Sequence, residues 1–241
     1  MTKGIFVTGT DTGVGKTVAS AVIVAALMRQ RIRVGAMKPI ETGCEKRDGI
    51  LVPADGSFLR SVSNMDDSLD LITPVRYELP LAPYVAESEE NREVDLGRVF
   101  EAYKVLSSRY DFMVVEGVGG AMVPLTKKDG SPGRAYLVAD LMADLGLQAV
   151  VVARPALGTI NHTLLTLSYL FDKGIGVAGI IISFSKPPDG TIAESTNPRA
   201  LAELCRVPIV GTIPYMRDIS AGAIQNAAID IDTQRLMAAD R

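Results

Sequence analysis

Gly9-Thr10-Asp11-Thr12-Gly13-Val14-Gly15-Lys16-Thr17 follows the apolar run Ile5 to Thr8 and leads at once into a helical pattern, Val18 to Met28. A strand, a glycine loop closing on Lys-Thr and a helix form the Walker A arrangement in the context that gives the motif meaning. Each residue type has a physical reason. The glycines permit positive φ, successive backbone N–H groups converge on an anion, and the helix N-terminus adds partial positive charge. Lys16 can reach the β- and γ-phosphates, and Thr17 can offer its hydroxyl to Mg²⁺.

Outward from this loop, short apolar runs alternate with longer helical patterns, as expected for strands buried on both faces by crossover helices. The expected strands are Ile5 to Thr8, Val34 to Lys38, Phe112 to Glu116, Ala149 to Ala153, Val177 to Ser183 and Ile209 to Ile213. The expected helices are Lys16 to Gln30, Val94 to Ser108, Tyr136 to Leu145, Ile160 to Asp172 and Pro198 to Cys205. The fold class is therefore α/β, a P-loop NTPase with a mostly parallel sheet and helices on both faces. No repeat, linker or composition break divides residues 1–241, so one domain is expected. Right-handed crossovers bring the carboxyl ends of the strands to one edge, where ligands of such sheets bind. Asp66 to Asn91, rich in Pro, Ser and acidic residues, and the polar loop Lys127 to Arg134 read as surface excursions.

Composition removes several alternatives. A hydrophobic fraction of 47% over 241 residues is enough for a substantial core. Cys44 and Cys205 form no C-x-x-C and are too few for a disulfide framework or a zinc site, which fits a reducing cytoplasm. The single histidine, His162, excludes a His-rich metal centre, and packing or a local hydrogen bond is its expected role. With 25 basic and 28 acidic residues intermixed, no basic stripe is available for nucleic acid. The first residues lack the h-region of a signal peptide, and no apolar run is long enough to span a membrane.

Two further segments place charge at the expected ligand edge. Ala36-Met37-Lys38-Pro39-Ile40-Glu41-Thr42-Gly43 ends the second strand with a lysine, which is either an ordinary strand-end lysine reaching solvent or a buried cation in need of an anionic partner. Phe112 to Val115 ends in Glu116, ahead of Gly117-Val118-Gly119-Gly120, so a carboxylate in the Walker B role meets what reads as a flexible loop. Mg²⁺ prefers hard oxygen ligands and keeps some of its water, so Thr17, Glu116 and Asp55 would suffice with phosphate oxygens. Asp55, ahead of Phe58-Leu59 and Val62, equally suits a helix N-cap. Leu157-Gly158-Thr159-Ile160-Asn161-His162 reads as a capped helix start.

The loop G-T-D-T-x-V-G-K-T, the K-P-x-x-[ST]-G segment, the L-G-[TC]-I-N-H segment and Ile213-Pro214-Tyr215-Met216 occur in the order found in dethiobiotin synthetases, and the chain resembles that family over most of its length. The resemblance implies an ATP-dependent cyclo-ligase of biotin biosynthesis, acting with Mg²⁺ on 7,8-diaminopelargonate, CO₂ or bicarbonate, and ATP. It implies catalytic roles for Lys38, Lys16 and Thr12, and substrate contacts from Thr42, Thr12, Lys38 and Asn161. It implies nucleotide contacts from Gly13, Val14, Gly15, Lys16, Thr17, Val18, Asp55, Glu116, Gly117, Val118, Gly119, Ser183, Phe184, Pro214, Tyr215 and Met216. The metal would be held by Thr17, Asp55 and Glu116. A homodimer is also implied, with the substrate's carboxylate tail at a helix start on the subunit interface.

Three features depart from the family's pattern. Gly13 stands where some members have glutamate, Ser183-Phe184 where an asparagine commonly reads adenine, and the loop Lys127 to Arg134 is longer. ParA and MinD-type ATPases carry a signature lysine where this loop has Asp11, and amidoligases of the cobyrinate type normally bring a glutaminase domain that 241 residues do not accommodate. A non-catalytic nucleotide-binding module is the remaining alternative, opposed by Lys16, Lys38 and Glu116.

Overall fold

The computed structural model describes residues 3–128 and 133–238. Its strands are β1 (Lys3–Gly9), β2 (Val34–Met37), β3 (Ile40–Glu41), β4 (Glu45–Arg47), β5 (Ile50–Val52), β6 (Val75–Arg76), β7 (Phe112–Gly120), β8 (Pro124–Lys127), β9 (Ala135–Leu137), β10 (Gln148–Ala153), β11 (Val177–Ser183) and β12 (Ile209–Ile213). Its α-helices are α1 (Lys16–Arg29), α2 (Ala54–Ser63), α3 (Leu69–Ile72), α4 (Pro83–Glu89), α5 (Leu96–Arg109), α6 (Val138–Asp144), α7 (Thr159–Asp172), α8 (Ile192–Leu204), α9 (Ala221–Ala227) and α10 (Thr233–Ala238).

Six strands form one parallel sheet in the order β12-β11-β10-β1-β7-β2. Ile5 to Val7 of β1, Met113 to Val115 of β7 and Ala149 to Ala153 of β10 are inaccessible to water, which consecutive strand residues could not be unless both faces of the sheet were covered. Helix α1 is buried on nearly every side, because α2 and α9 pack on it from outside while its other flank lies on β1, β2 and β7. Its Ala-, Val- and Leu-rich sequence suits that position.

The sheet register sets the site. Met37 pairs with Val115 and Val7 with Glu116, so the ends of β1, β2 and β7 stand side by side. The glycines after Glu116 are not a flexible loop: β7 continues to Gly120, which pairs with Gly9 after an irregularity in register. Close packing demands glycine there, since a Cβ on Gly117 would lie 2.6 Å from the Phe6 ring.

Several boundaries move. Helix α8 begins at Ile192 rather than Pro198, because Thr191 and Glu194 form a capping box and the proline is tolerated inside the helix. Tyr136 belongs to β9, and α6 starts only at Val138, where Asp140 accepts a hydrogen bond from Leu137 N at 2.8 Å. Of the segment Lys127 to Arg134, residues 129–132 lie outside the described residues; its flanks form the antiparallel pair β8–β9.

The larger correction concerns Asp66 to Asn91, which is no surface excursion. It supplies α3, β6 and α4 and buries Ile72, Val75, Tyr77 and Ala86. Its polar residues are used internally: Asp67 accepts hydrogen bonds from Arg109 and Tyr110, and Tyr77 Oη donates to Arg92 O at 2.6 Å. Replacing the fully buried Tyr77 by alanine is expected to lower stability by about 3–5 kcal/mol in urea unfolding. A change within about 0.5 kcal/mol, as at a surface site, would contradict this packing.

Candidate active site

The carboxyl ends of β1, β2, β7, β11 and β12 surround a cavity of about 460 Å³. Its floor is the glycine loop. Gly13 and Gly15 have φ of 72° and 92°, which brings successive N–H groups inward without steric cost. A Cβ on Gly15 would lie 2.5 Å from Ser183 Oγ, and Ser185 Oγ donates to Gly13 O at 2.9 Å, so the end of β11 braces the loop from behind. Thr10 N donates to Val152 O at 3.0 Å, and Arg154 pairs with Asp11 at 3.1 Å, tying the loop to β10 as well.

Lys38, just beyond β2, does not reach solvent. Only 4% exposed, it places Nζ 2.5 Å from Glu116 Oε1 and 2.9 Å from Asp55 Oδ2. Thr17 Oγ1 donates to the same Glu116 oxygen at 2.9 Å. Burial alone would lower the Lys38 pKa, but Glu116 and Asp55 more than reverse that, and the ammonium is held above its ordinary range. Lys16 has less help. Burial, then repulsion from Lys38, lowers its pKa to about 8, while Nζ donates to Asp11 O at 3.2 Å.

Asp55 is not a helix N-cap. Pro53 occupies that position in α2, with no side-chain oxygen to offer, and Asp55 stands in the first turn. The capping acceptor comes from elsewhere: the Glu41 carboxylate accepts from Asp55 N at 2.9 Å and Gly56 N at 3.0 Å. Burial first, then the Asp55 charge, hold Glu41 above the ordinary carboxylate range.

The oxygen donors suit a hard divalent cation better than a soft one. Glu116 Oε2 is buried without a hydrogen-bond partner, and the Thr17 hydroxyl and Asp55 carboxylate lie beside it on the same wall. Among the described residues, no group of three or more His, Cys, Asp or Glu side chains could hold a metal alone. A cation here would need the oxygens of a bound phosphate, as Mg²⁺ commonly does.

Of the residues singled out from sequence, Thr12, Gly13, Gly15, Lys16, Thr17, Val18, Lys38, Thr42, Asp55, Glu116, Val118, Gly119, Ser183, Phe184, Pro214, Tyr215 and Met216 line this cavity. Three do not. Val14 turns its side chain into the core, Gly117 is covered by Phe6, and Asn161 lies exposed in the first turn of α7. His162 is exposed as well, its ring beside Gly158, whose φ of 94° opens α7 without a side-chain cap. Glu41, Ser185, Ile213 and Ile219 also line the cavity. Glu41 lay inside the quoted K-P-x-x-[ST]-G segment, yet its partners lie in α2, and no local signal marks them.

A family sequence model described as an AAA domain matches residues 3–223. The ATP-dependent dethiobiotin synthetase of Thermodesulfovibrio yellowstonii is 51% identical over 95% of both chains. That of Methanocaldococcus jannaschii is 40% identical, over 89% of this chain and 95% of its own. Among solved structures, the MinC:MinD complex of Aquifex aeolicus superposes with a TM-score of 0.51 at 16% identity, over 98% of this chain and 96% of that one. A ParA family ATPase from Chlorobium tepidum gives the same TM-score and identity, over 99% and 97%. At such identity these two share the fold alone.

The Lys16 position predicts a pH dependence. Below about pH 8 its ammonium is already charged; above that, the free protein has lost the proton, and an incoming anion must recover it. ADP binding between pH 8 and 9 should therefore take up protons, and affinity should fall as pH rises, by at most about tenfold per pH unit. Calorimetry in buffers of different ionisation enthalpy checks this. Equal heats in both buffers, or uptake that survives Lys16→Met, would contradict it.

Proposed function

The chain belongs to the ATP-dependent dethiobiotin synthetase family, and from that premise we propose that it converts 7,8-diaminopelargonate, CO₂ and ATP to dethiobiotin, ADP and phosphate with Mg²⁺ as cofactor. It is an ATP-dependent ligase of the ring-closing step of biotin biosynthesis. The observation that carries the fuller reading is the pair of buried lysines, Lys16 and Lys38, facing one cavity, with Glu116 and Asp55 paired to Lys38 and the Thr17 hydroxyl bonded to Glu116.

In this reading one substrate amine traps CO₂ as a carbamate, and a carbamate oxygen attacks the γ-phosphoryl group, with ADP leaving. The second amine then attacks the carbamoyl carbon, closing the ureido ring and expelling phosphate. Every species on the path is anionic at the reacting end, so positioning and preorganised positive charge supply the catalysis. Lys16 and the loop amides hold the phosphates; Lys38, released in part from Glu116, faces the carbamate and the transferring group. Thr12 and Thr42 line the same cavity; Thr12 would orient the phosphate oxygens and Thr42 would hold the diamine. Thr17, Glu116 and Asp55 would hold Mg²⁺, which neutralises phosphate charge when bound. Ser183, Phe184, Pro214, Tyr215 and Met216 also line the cavity and would contact the nucleotide at its base end.

We also propose that the chain acts as a single domain, as a homodimer, in the cytoplasm. Leu157, in the turn that precedes α7, and Leu165, one helical turn beyond Asn161, are 89% and 61% exposed. A second copy covering this face would bring Asn161 to the substrate's carboxylate tail, and the N-terminus of α7 favours such an anion. Among the described residues no helix is long and apolar enough to cross a membrane.

Incubation with diamine, bicarbonate, Mg²⁺ and ATP, omitting each in turn, should yield dethiobiotin only from the complete mixture, by product mass and phosphate release. Lys38→Ala should lower turnover by at least about a hundredfold; undiminished product from that variant would remove Lys38 from the reaction. Leu165→Asp should shift the protein toward monomer in sedimentation, and an unchanged dimer would place the interface elsewhere.

A further inference from the structure

Glu41 lines the cavity, yet each oxygen of this buried carboxylate accepts a main-chain N–H. Its position is highly constrained. The β3 backbone that carries it is bridged to β6, with Ile40 beside Val75 and Tyr77 N donating to Glu41 O at 2.9 Å. What it holds is the start of α2. A helix leaves its first N–H groups without intrahelical partners, and Pro53 at the N-cap cannot satisfy them with a side chain. Glu41 satisfies two of them and adds negative charge at the positive end of the helix.

The first turn of α2 is held from its other side as well. A Cβ on Gly56 would fall 2.0 Å from Thr73 Oγ1, so the backbone there is pressed against the α3–β6 connection. Between these two restraints projects Asp55, the only residue of α2 on the cavity wall, with its carboxylate 2.9 Å from Lys38 Nζ. Asp55 is itself partly exposed, with 37% of its side chain accessible, and its location depends on the turn that carries it.

Resting on the Mg²⁺–nucleotide reading above, we infer that Glu41 is a positioning residue, which clamps the first turn of α2 and so sets where the Asp55 carboxylate stands against Lys38 and the bound phosphates. The residue acts at one remove from the chemistry, as groups that orient ligating side chains do elsewhere. Its effect should be largest for the metal-loaded nucleotide, because the glycine loop contains no residue of α2 and the Lys16 ammonium is hydrogen-bonded within that loop, to Asp11 O.

The test is a binding comparison on the intact protein with ADP as probe, with and without Mg²⁺, for wild type, Glu41→Ala, Asp55→Ala and the double variant. Glu41→Ala should weaken Mg·ADP binding by about tenfold while changing metal-free ADP binding by less than about twofold. In the Asp55→Ala background the Glu41 substitution should add almost nothing, since its route is already cut. Glu41→Gln keeps one acceptor and most of the shape, and should lose about threefold, which preserves the test if the alanine variant fails to fold. Amide exchange of residues 54–57 should quicken in the alanine variant while that of β1 and β7 is unchanged. Equal losses with and without metal, no loss at all, or additive losses in the double variant would overturn the inference. Failure of the wild type to make dethiobiotin would instead count against the ligase reading and leave this binding result readable.

Discussion

A lysine and a glutamate with almost no access to water face each other across the end of the sheet, and the rest of the site follows from their need for one another. Removing one partner of such a pair costs roughly 3–5 kcal/mol, because the other is left buried and charged. The pair itself contributes little net stability against apolar residues of similar volume, so its place in the fold is better explained by use than by strength. Lys38 Nζ and Glu116 Oε1 meet only because β2 and β7 run parallel and in register, with Met37 opposite Val115. The sheet order is thus the physical condition for the chemistry.

The pair is also incomplete in an informative way. Glu116 keeps one buried oxygen without a partner, the Lys16 ammonium is made easier to deprotonate by burial and by Lys38, and the glycine loop directs N–H groups into the same space. Each of these costs free energy in the empty protein, and in the proposed reaction each would be relieved by one arriving species, a polyphosphate with a hard cation. In that proposal, binding energy from the phosphates would re-partition Lys38 between Glu116 and the transferring phosphoryl group, which is where differential stabilisation of the transition state would arise.

How much of this was legible in the sequence depends on how local each cause is. The loop Gly9 to Thr17, the strand-end Lys38 and Glu116 are local signals, and Lys38, Glu116 and the loop residues Thr12, Gly13, Gly15, Lys16 and Thr17 line the cavity. The prolines and acids of Asp66 to Asn91 look like those of a surface loop. The segment's burial depends on distant partners: Arg109 and Tyr110 for Asp67, and β3 for β6. Glu41 was invisible for the same reason, its two hydrogen bonds being made to α2 rather than within its own motif. At Pro198 a general preference for proline at helix starts lost to a stronger local signal, the capping box at Thr191 and Glu194. The glycines after Glu116 read as a loop, but their smallness serves close packing against Phe6 within a strand.

The central claim is that nucleotide cleavage here is a step in making a carbon–nitrogen bond and not a hydrolytic switch. It is tested most directly by running the complete reaction in oxygen-18-labelled bicarbonate and unlabelled water, over times short against oxygen exchange, and analysing the released phosphate by mass. Attack by a carbamate oxygen on the γ-phosphoryl group predicts one labelled oxygen in each phosphate released with dethiobiotin, the other label remaining in the ureido carbonyl. Unlabelled phosphate would mean that water is the nucleophile, and the two lysines would then belong to an NTPase rather than a ligase.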